Sequence, residues 1–315
     1  MKTFVYLGQE LAAYNFGEAH PFGPARHDSF SDKFYALGLE DKIDVLTPVM
    51  GTDEQLLSFH SSEYVSLVRR ASLSGEGVLD CGDTPAFKGV FDVAKTVVGT
   101  TLAGVESIMR GRYKKGFTPI GGLHHARRNS AAGFCVFNDC GVAIEILKNR
   151  YGLQRIAYID IDAHHGDGVF YSFADDPAVI FADIHEDGKH LYPGTGNEME
   201  TGTGLAVGTK LNIPMPMYAD DAAFMQAWER VEHFLLKMKP QFILLQCGAD
   251  SVKGDPITNL HYTPAAHAYA TRRLCDISDS FADGRMMIMG GGGYNLDNIA
   301  NTWCAVVNSI IDHEA

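Results

Sequence analysis

The densest reactive stretch is Asp160-Ile161-Asp162-Ala163-His164-His165-Gly166-Asp167-Gly168, which follows an apolar run at 155–159. Side chains alternate along an extended chain, so Asp160, Asp162 and His164 project from one side as the chain leaves a sheet. A carboxylate and an imidazole two positions apart can then grip the same metal ion. Helix caps and solvated loop carboxylates are a poor account of so many aspartates and histidines packed directly behind a buried strand. Asp250, at the end of the segment 245–250, is by itself as readily a capping residue as a ligand, but beside the first two it completes an Asp/His/Asp donor set. Three protein ligands with a position left open describe a catalytic metal rather than a structural one. Such an ion polarises a carbonyl and lowers the pKa of bound water.

Two other segments carry chemistry. Gly121-Gly122-Leu123-His124-His125-Ala126 presents a histidine pair that could add metal ligands, work as acid and base, or simply face solvent from a loop. Imidazole suits acid/base work because it titrates near neutrality. Asp160 and Asp167, if not spent on the metal, are available to hold the outer ring nitrogens. Met289-Gly290-Gly291-Gly292-Gly293-Tyr294-Asn295 lets the backbone approach a ligand closely or cradle a phosphate. It lacks the Lys-Ser/Thr ending and the Gly-x-Gly-x-x-Gly context of phosphate loops. Tyr294 is a core or rim tyrosine, or a phenol that donates to an oxyanion beside the metal.

These groups need a frame. Near-continuous apolar runs at 4–7, 156–161, 179–184, 242–246 and 286–289 predict strands covered on both faces, as in a parallel sheet. Helical periodicity marks 87–109, 139–149, 220–238, 264–282 and 296–311, with Pro264 placed for a first turn. Strand alternating with helix implies a three-layer α/β/α domain. Polar clusters follow four of the strands, at 160–167, 183–185, 248–250 and 290–294. Open α/β sheets bind ligands at the carboxyl ends of their strands, so these clusters converge on one edge. No linker or repeat divides the sequence, and one domain over 1–315 is the expectation.

Composition excludes several classes. A chain of 315 residues that is 46% hydrophobic buries a large core. The formal net charge of -13 argues against nucleic-acid binding, which wants a basic face. No apolar stretch reaches the roughly 18–20 residues of a membrane span, and no signal-peptide pattern opens the chain. The six cysteines are scattered without a Cys-x-x-Cys pair, so neither disulfides nor cysteine-held zinc are expected. A reduced, cytoplasmic protein follows.

Taken in order, the motifs around His124-His125, Gly133-Phe134-Cys135-Val136-Phe137-Asn138-Asp139, Asp160 to Gly168, Pro193-Gly194-Thr195-Gly196, Gly248-Ala249-Asp250 and Gly290 to Asn295 resemble the histone-deacetylase superfamily. The likeness runs from His20 to Trp303 and is nearer to the class I and bacterial acetoin-utilisation-type members than to class II. It implies an arginase/deacetylase-like α/β/α fold around a mainly parallel sheet. It implies Asp162, His164 and Asp250 as metal ligands, His125 as general base oriented by Asp167, and His124 as its partner oriented by Asp160. Tyr294 would polarise the substrate carbonyl. Gly133, Phe134 and Tyr192 would line an acyl-lysine tunnel, with Asp83 at the rim and Arg26 on the inner cavity behind the metal. Tyr192 stands where class I members commonly carry phenylalanine, which makes the tunnel wall more polar. The family also binds potassium beside Asp160. Here Asp183 stands in place of a serine, and a carboxylate suits a hard cation.

The activity so implied is removal of acetyl or other short acyl groups from lysine ε-amines in proteins or peptides, through Zn2+ or Fe2+. Small acylated amines, acetylpolyamines among them, are the alternative substrates. Ile257 stands where polyamine-selective relatives place a glutamate, which favours a peptide-like rim. An arginase-like ureohydrolase needs a second carboxylate after Asp250, where Ser251 and Val252 stand. A non-catalytic acyl-lysine binding module would be expected to have lost a ligand, the base or the tyrosine. With no nuclear-localisation run and no regulatory tails, the chain looks bacterial. Its oligomeric state is not legible.

Overall fold

The computed structural model describes residues 3–17 and 20–314. Among these, eight strands form one sheet: β1 (Phe4–Tyr6), β2 (Asp44–Leu46), β3 (Lys115–Thr118), β4 (Ile156–Asp160), β5 (Val179–Glu186), β6 (Lys210–Met215), β7 (Phe242–Gln246) and β8 (Met286–Met289). Their order is β2-β1-β3-β8-β7-β4-β5-β6, and every pairing is parallel. Parallel strands need covering on both faces, and their side chains alternate accordingly. Tyr158, Phe181, Leu244 and Met287 enter one apolar cluster, while Ile159, Ile180, Leu245 and Ile288 enter the other.

Among the described residues ten helices supply the covers. Numbered along the chain they are α1 (Gln9–Ala12), α2 (Ala25–Ala36), α3 (Asp53–Leu57), α4 (Ser62–Ser74), α5 (Val90–Met109), α6 (Asp139–Asn149), α7 (Asp167–Ser172), α8 (Asp221–Met238), α9 (Pro264–Phe281) and α10 (Leu296–Glu314). Helices α3 to α7 contribute to the first cluster, and α2 with α8, α9 and α10 to the second. The three-layer α/β/α expectation therefore holds. Among the described residues no helix is long and apolar enough to cross a membrane. All six cysteines are free thiols.

The expected elements are present with small shifts at their ends. Asp220 and Thr263 are N-caps, accepting from Ala223 N at 3.1 Å and Ala265 N at 3.3 Å, and Pro264 occupies the first turn of α9. Strands β2, β3 and β6 and helices α1, α2, α3, α4 and α7 are not among the expected elements, being short or rich in polar residues. In β3, Lys115 is fully buried, and its ammonium ion pairs with Asp279 at 3.0 Å and Glu314 at 2.7 Å. In β6, Lys210 is buried on the carbonyls of Asp176 and Val179, and Pro214 is tolerated because β6 is an edge strand.

Candidate metal centre and its surroundings

Five neighbouring strands deliver the site from their carboxyl ends. After β3 comes 121–125, after β4 comes 160–167, after β5 comes 187–196, after β7 comes 248–250, and after β8 comes 290–294. The sequence pointed to four of these. It left out β3, the strand that brings in the histidine pair.

Asp162, His164 and Asp250 lie together, with one ligand atom from each within 4.8 Å of the others and all three buried. His164 Nδ1 is 3.0 Å from Asp162 Oδ1 and 3.2 Å from Asp250 Oδ2. The electrostatics of the cluster ask for a cation. Burial, then the charge of Asp162, lifts the Asp250 carboxyl to about 7. Burial would lower the His164 imidazole, but hydrogen bonds to Asp162 and Asp250 outweigh it and raise it to about 10. A proton is drawn to the place where a divalent ion would neutralise both carboxylates. Two carboxylates and one imidazole are a fit donor set for Zn2+ or Fe2+.

The carboxylates are held by the chain around them. Asp162 accepts from His164 N at 2.9 Å, and from Gln246 Nε2 and Gly292 N at 2.8 Å each. Asp250 accepts from Ala163 N at 2.9 Å. A Cβ added at Gly248 would overlap the Asp162 carboxylate, and one at Gly292 would overlap that of Asp250. The four-glycine run thus serves close approach to the donor set.

Beside this centre stand His124 and His125. The loop that carries them is pinned by buried Asp139, which accepts from Gly122 N at 3.0 Å and Leu123 N at 2.8 Å. Asn138 holds the carbonyls of His124 and Ala126. His124 Nδ1 meets Asp160 Oδ2 at 2.8 Å, and His125 Nδ1 meets Asp167 Oδ1 at 2.7 Å. Burial, followed by the charge of His124, lowers the His125 imidazole to about 4. Burial also opposes ionisation of Asp167, but His125 and Arg127 prevail and hold its carboxyl at about 2. Arg127 donates to Asp167 Oδ2 at 3.0 Å. Asp160 goes the other way, pushed well up by burial and then by the charges of Asp183 and Asp162.

A cavity of about 240 Å³ opens onto this arrangement. Asp162, His164, Asp250, His124, His125 and Tyr294 share its walls. Asp83, Gly133, Phe134, Tyr192 and Ile257 line it as well, with Tyr192 and Ile257 reaching the surface. The Tyr192 ring stands edge-on to His125 at 5.1 Å, and Phe134 edge-on to Tyr294 at 5.9 Å. Burial, then the charge of Asp250, raises the Tyr294 phenol well above its ordinary value.

Arg26 is brought near but does not line this cavity. Its guanidinium lies behind the glycine run, donating to Gly293 O at 2.7 Å and Gly291 O at 2.6 Å. Asp160 and Asp183 are register partners on β4 and β5. Asp160 accepts from Asp162 N, His124 and Tyr158. Asp183 takes Gly166 N at 2.8 Å and contacts His185 Nδ1 at 2.7 Å. Each of the four carboxylate oxygens thus has at least one protein partner.

Sequence reasoning passed over several supporting groups. Asp255 accepts from Tyr294 N at 2.8 Å and Ile257 N at 3.0 Å, tying the phenol-bearing residue to the rim. Gln246, Arg127, Tyr14 and Thr84 were also unmarked. A glutamine ending a buried strand was the one local signal among them.

Comparison with known proteins agrees with this geometry. The model of the histone deacetylase domain family matches residues 20–310. The acetoin utilization protein AcuC of Bacillus subtilis (strain 168) is 34% identical over 302 residues, covering 93% of this chain and 78% of the relative. AcuC of Staphylococcus xylosus is 32% identical, covering 99% of this chain and 83% of its own. The crystal structure of the HDA15 HD domain superposes with a TM-score of 0.91 at 26% identity, covering 99% of this chain and 88% of that one.

Proposed function

From the premise that the chain belongs to the histone deacetylase family, a family of zinc-dependent hydrolytic deacetylases, we propose that it removes acetyl or other short acyl groups from lysine ε-amines of proteins or peptides. The observation that carries this reading is the His125–Asp167 pair opening onto the same cavity as Asp162, His164 and Asp250. The whole chain acts as one catalytic domain, in the cytoplasm of a bacterium.

A divalent ion on Asp162, His164 and Asp250, zinc by family habit, would supply Lewis acidity and an acidified water. The protein's own groups do the rest. His125 is neutral at pH 7 and so is free to take the proton of the attacking water. Its Nδ1–H stays on Asp167, whose ionised carboxylate stabilises the imidazolium that forms. Tyr294 keeps its proton at pH 7 and donates it as a hydrogen bond to the acyl oxygen while charge develops there. A histidine of the pair returns a proton to the leaving amine. Arg26, behind the glycine run, holds Gly291 and Gly293 in place.

Free acetylpolyamines are the second reading, and apolar Ile257 at the cavity mouth speaks against them. The test is metal analysis together with turnover of a panel of acyl-lysine peptides and acetylpolyamines. One divalent ion per chain, reversible loss of activity on chelation, and preferred cleavage of acyl-lysine peptides are expected. Two tightly bound ions per active chain would sink the mononuclear mechanism. A preference for free acetylpolyamines would sink the substrate assignment.

A further inference from the structure

Phe134 projects its ring into the cavity from an unusual backbone position. Ala132 and Cys135 exchange hydrogen bonds, Cys135 N to Ala132 O at 2.9 Å and Ala132 N to Cys135 O at 3.2 Å. The two residues between them, Gly133 and Phe134, have φ of 52° and 66°. This is the left-handed two-residue turn whose second position ordinarily goes to glycine. A large aromatic residue there is strained by its Cβ, and such strain persists only where the surroundings over-determine it.

Here they do. The Phe134 N–H donates to Thr84 Oγ1 at 3.0 Å, and the Phe134 carbonyl accepts from Tyr14 Oη at 2.7 Å. Tyr14 Oη also accepts from Val136 N at 3.0 Å, so one buried phenol bridges the end of the turn. The Thr84 hydroxyl has a single proton, which it gives to the Asp80 carboxylate, leaving its lone pairs for Phe134. Asp80 in turn accepts from Gly82 N, Asp83 N and Thr84 N, shaping the loop that carries rim residue Asp83. Both polar groups of the strained residue are thus held by side chains far away in sequence. The ring they aim stands edge-on between His20 at 4.5 Å and Tyr294 at 5.9 Å.

We infer that Tyr14 and the Thr84–Asp80 pair are positioning residues that lock Phe134 as a fixed wall of the cavity and so determine how tightly a linear acyl-lysine side chain binds. The inference rests on the substrate class proposed above. It assigns these residues to binding, because none of their hydrogen bonds reaches His125, Asp167 or the donor trio. Releasing the clamp lets the turn relax and the ring leave its place, widening the passage while the acid/base pair keeps its own partners.

The variants are Tyr14→Phe and Thr84→Val, with Thr84→Ser as the conservative rescue. Tyr64→Phe is the control, since equally buried Tyr64 donates to Val136 O at 2.6 Å without touching Phe134. In the metal-loaded enzyme, Tyr14→Phe and Thr84→Val each raise KM for an acetyl-lysine peptide about tenfold and leave kcat within about threefold. Thr84→Ser and Tyr64→Phe stay near wild type. Should Tyr14→Phe fail to fold, Thr84→Val against Thr84→Ser decides. Unchanged KM in the clamp variants, or an equal rise in Tyr64→Phe, overturns the inference. Amide exchange at Phe134 gives a reading independent of turnover. It speeds up in Tyr14→Phe, which leaves that residue's own N–H acceptor in place, if the clamp acts as a unit. Unaltered exchange there overturns the clamp. A wild-type enzyme inactive on every acyl-lysine peptide overturns the substrate class instead, and exchange alone then judges the clamp.

Discussion

The Nε2 atoms of His124 and His125 lie 3.1 Å apart, while each ring holds a different carboxylate through Nδ1. A contact of that length between two nitrogens accommodates a single proton, one ring donating and the other accepting. Their carboxylates are in unlike states. Asp160 is pushed up by burial and its acidic neighbours, whereas Asp167, against the same pull of burial, is kept ionised by His125 and Arg127. The pair is therefore polarised, with His125 the ring backed by a permanent negative charge.

That polarity predicts unequal consequences. Asp167→Asn should lower kcat about 100-fold or more while metal content and circular dichroism stay as in wild type. His125→Ala should lose at least as much. Steady-state kinetics on metal-saturated protein checks this, and wild-type turnover by His125→Ala would remove it from the mechanism.

Tyr294→Phe deletes only the phenolic oxygen. Loss of one donor to a developing oxyanion typically costs about 100- to 1000-fold in rate, and that loss is expected in kcat with little change in KM. Asp255→Asn, which weakens the bracket on Tyr294 N and Ile257 N, should reproduce part of it. If Tyr294→Phe retains full kcat, the carbonyl is polarised without it.

At the rim, Ile257 offers no charge to a second ammonium, and kcat/KM should be higher for acetyl-lysine peptides than for N-acetylputrescine or N-acetylspermidine. Ile257→Glu should narrow the gap by a factor of about two to five, the worth of a half-exposed ion pair. Measuring wild type and Ile257→Glu at high salt separates this local effect from diffuse attraction by the acidic surface.

Loss of stability in acid has a traceable source in His60. Its Nε2 accepts from Asn138 N at 2.9 Å, and burial lowers the imidazole to about 3. The unfolded chain takes up the proton first as pH falls below about 6.5. The contribution is thus full above that value and is lost progressively down to about 3, by on the order of 5 kcal/mol. Urea midpoints between pH 7 and pH 5 should fall less steeply in His60→Gln, whose amide oxygen still accepts from Asn138 but cannot take a proton. Parallel slopes in the two proteins would acquit His60.

What the sequence determined by itself was local. Asp160, Asp162 and His164 announce their common side because strand geometry repeats every two residues. The apolar runs of β4, β5, β7 and β8 point to a buried sheet because they have the length of strands rather than helices and are apolar on both faces. The motif order from His124 to Tyr294 carried the family, and with it the expected role of each group. What only the tertiary structure decided was which distant groups meet. Asp255 under Tyr294, Tyr14 and Thr84 on Phe134, Gln246 on Asp162 and Arg127 on Asp167 are joined by single hydrogen bonds between separate elements. A hydrogen bond of that kind has no period along the chain and leaves no pattern in composition. Strand β3 was hidden for a related reason: Lys115 reads as surface until Asp279 and Glu314, nearly 200 residues away in the latter case, arrive to neutralise it. Local spacing fixes which side chains point together, and only the closed fold supplies the partners that set their charge, their strain and their reach.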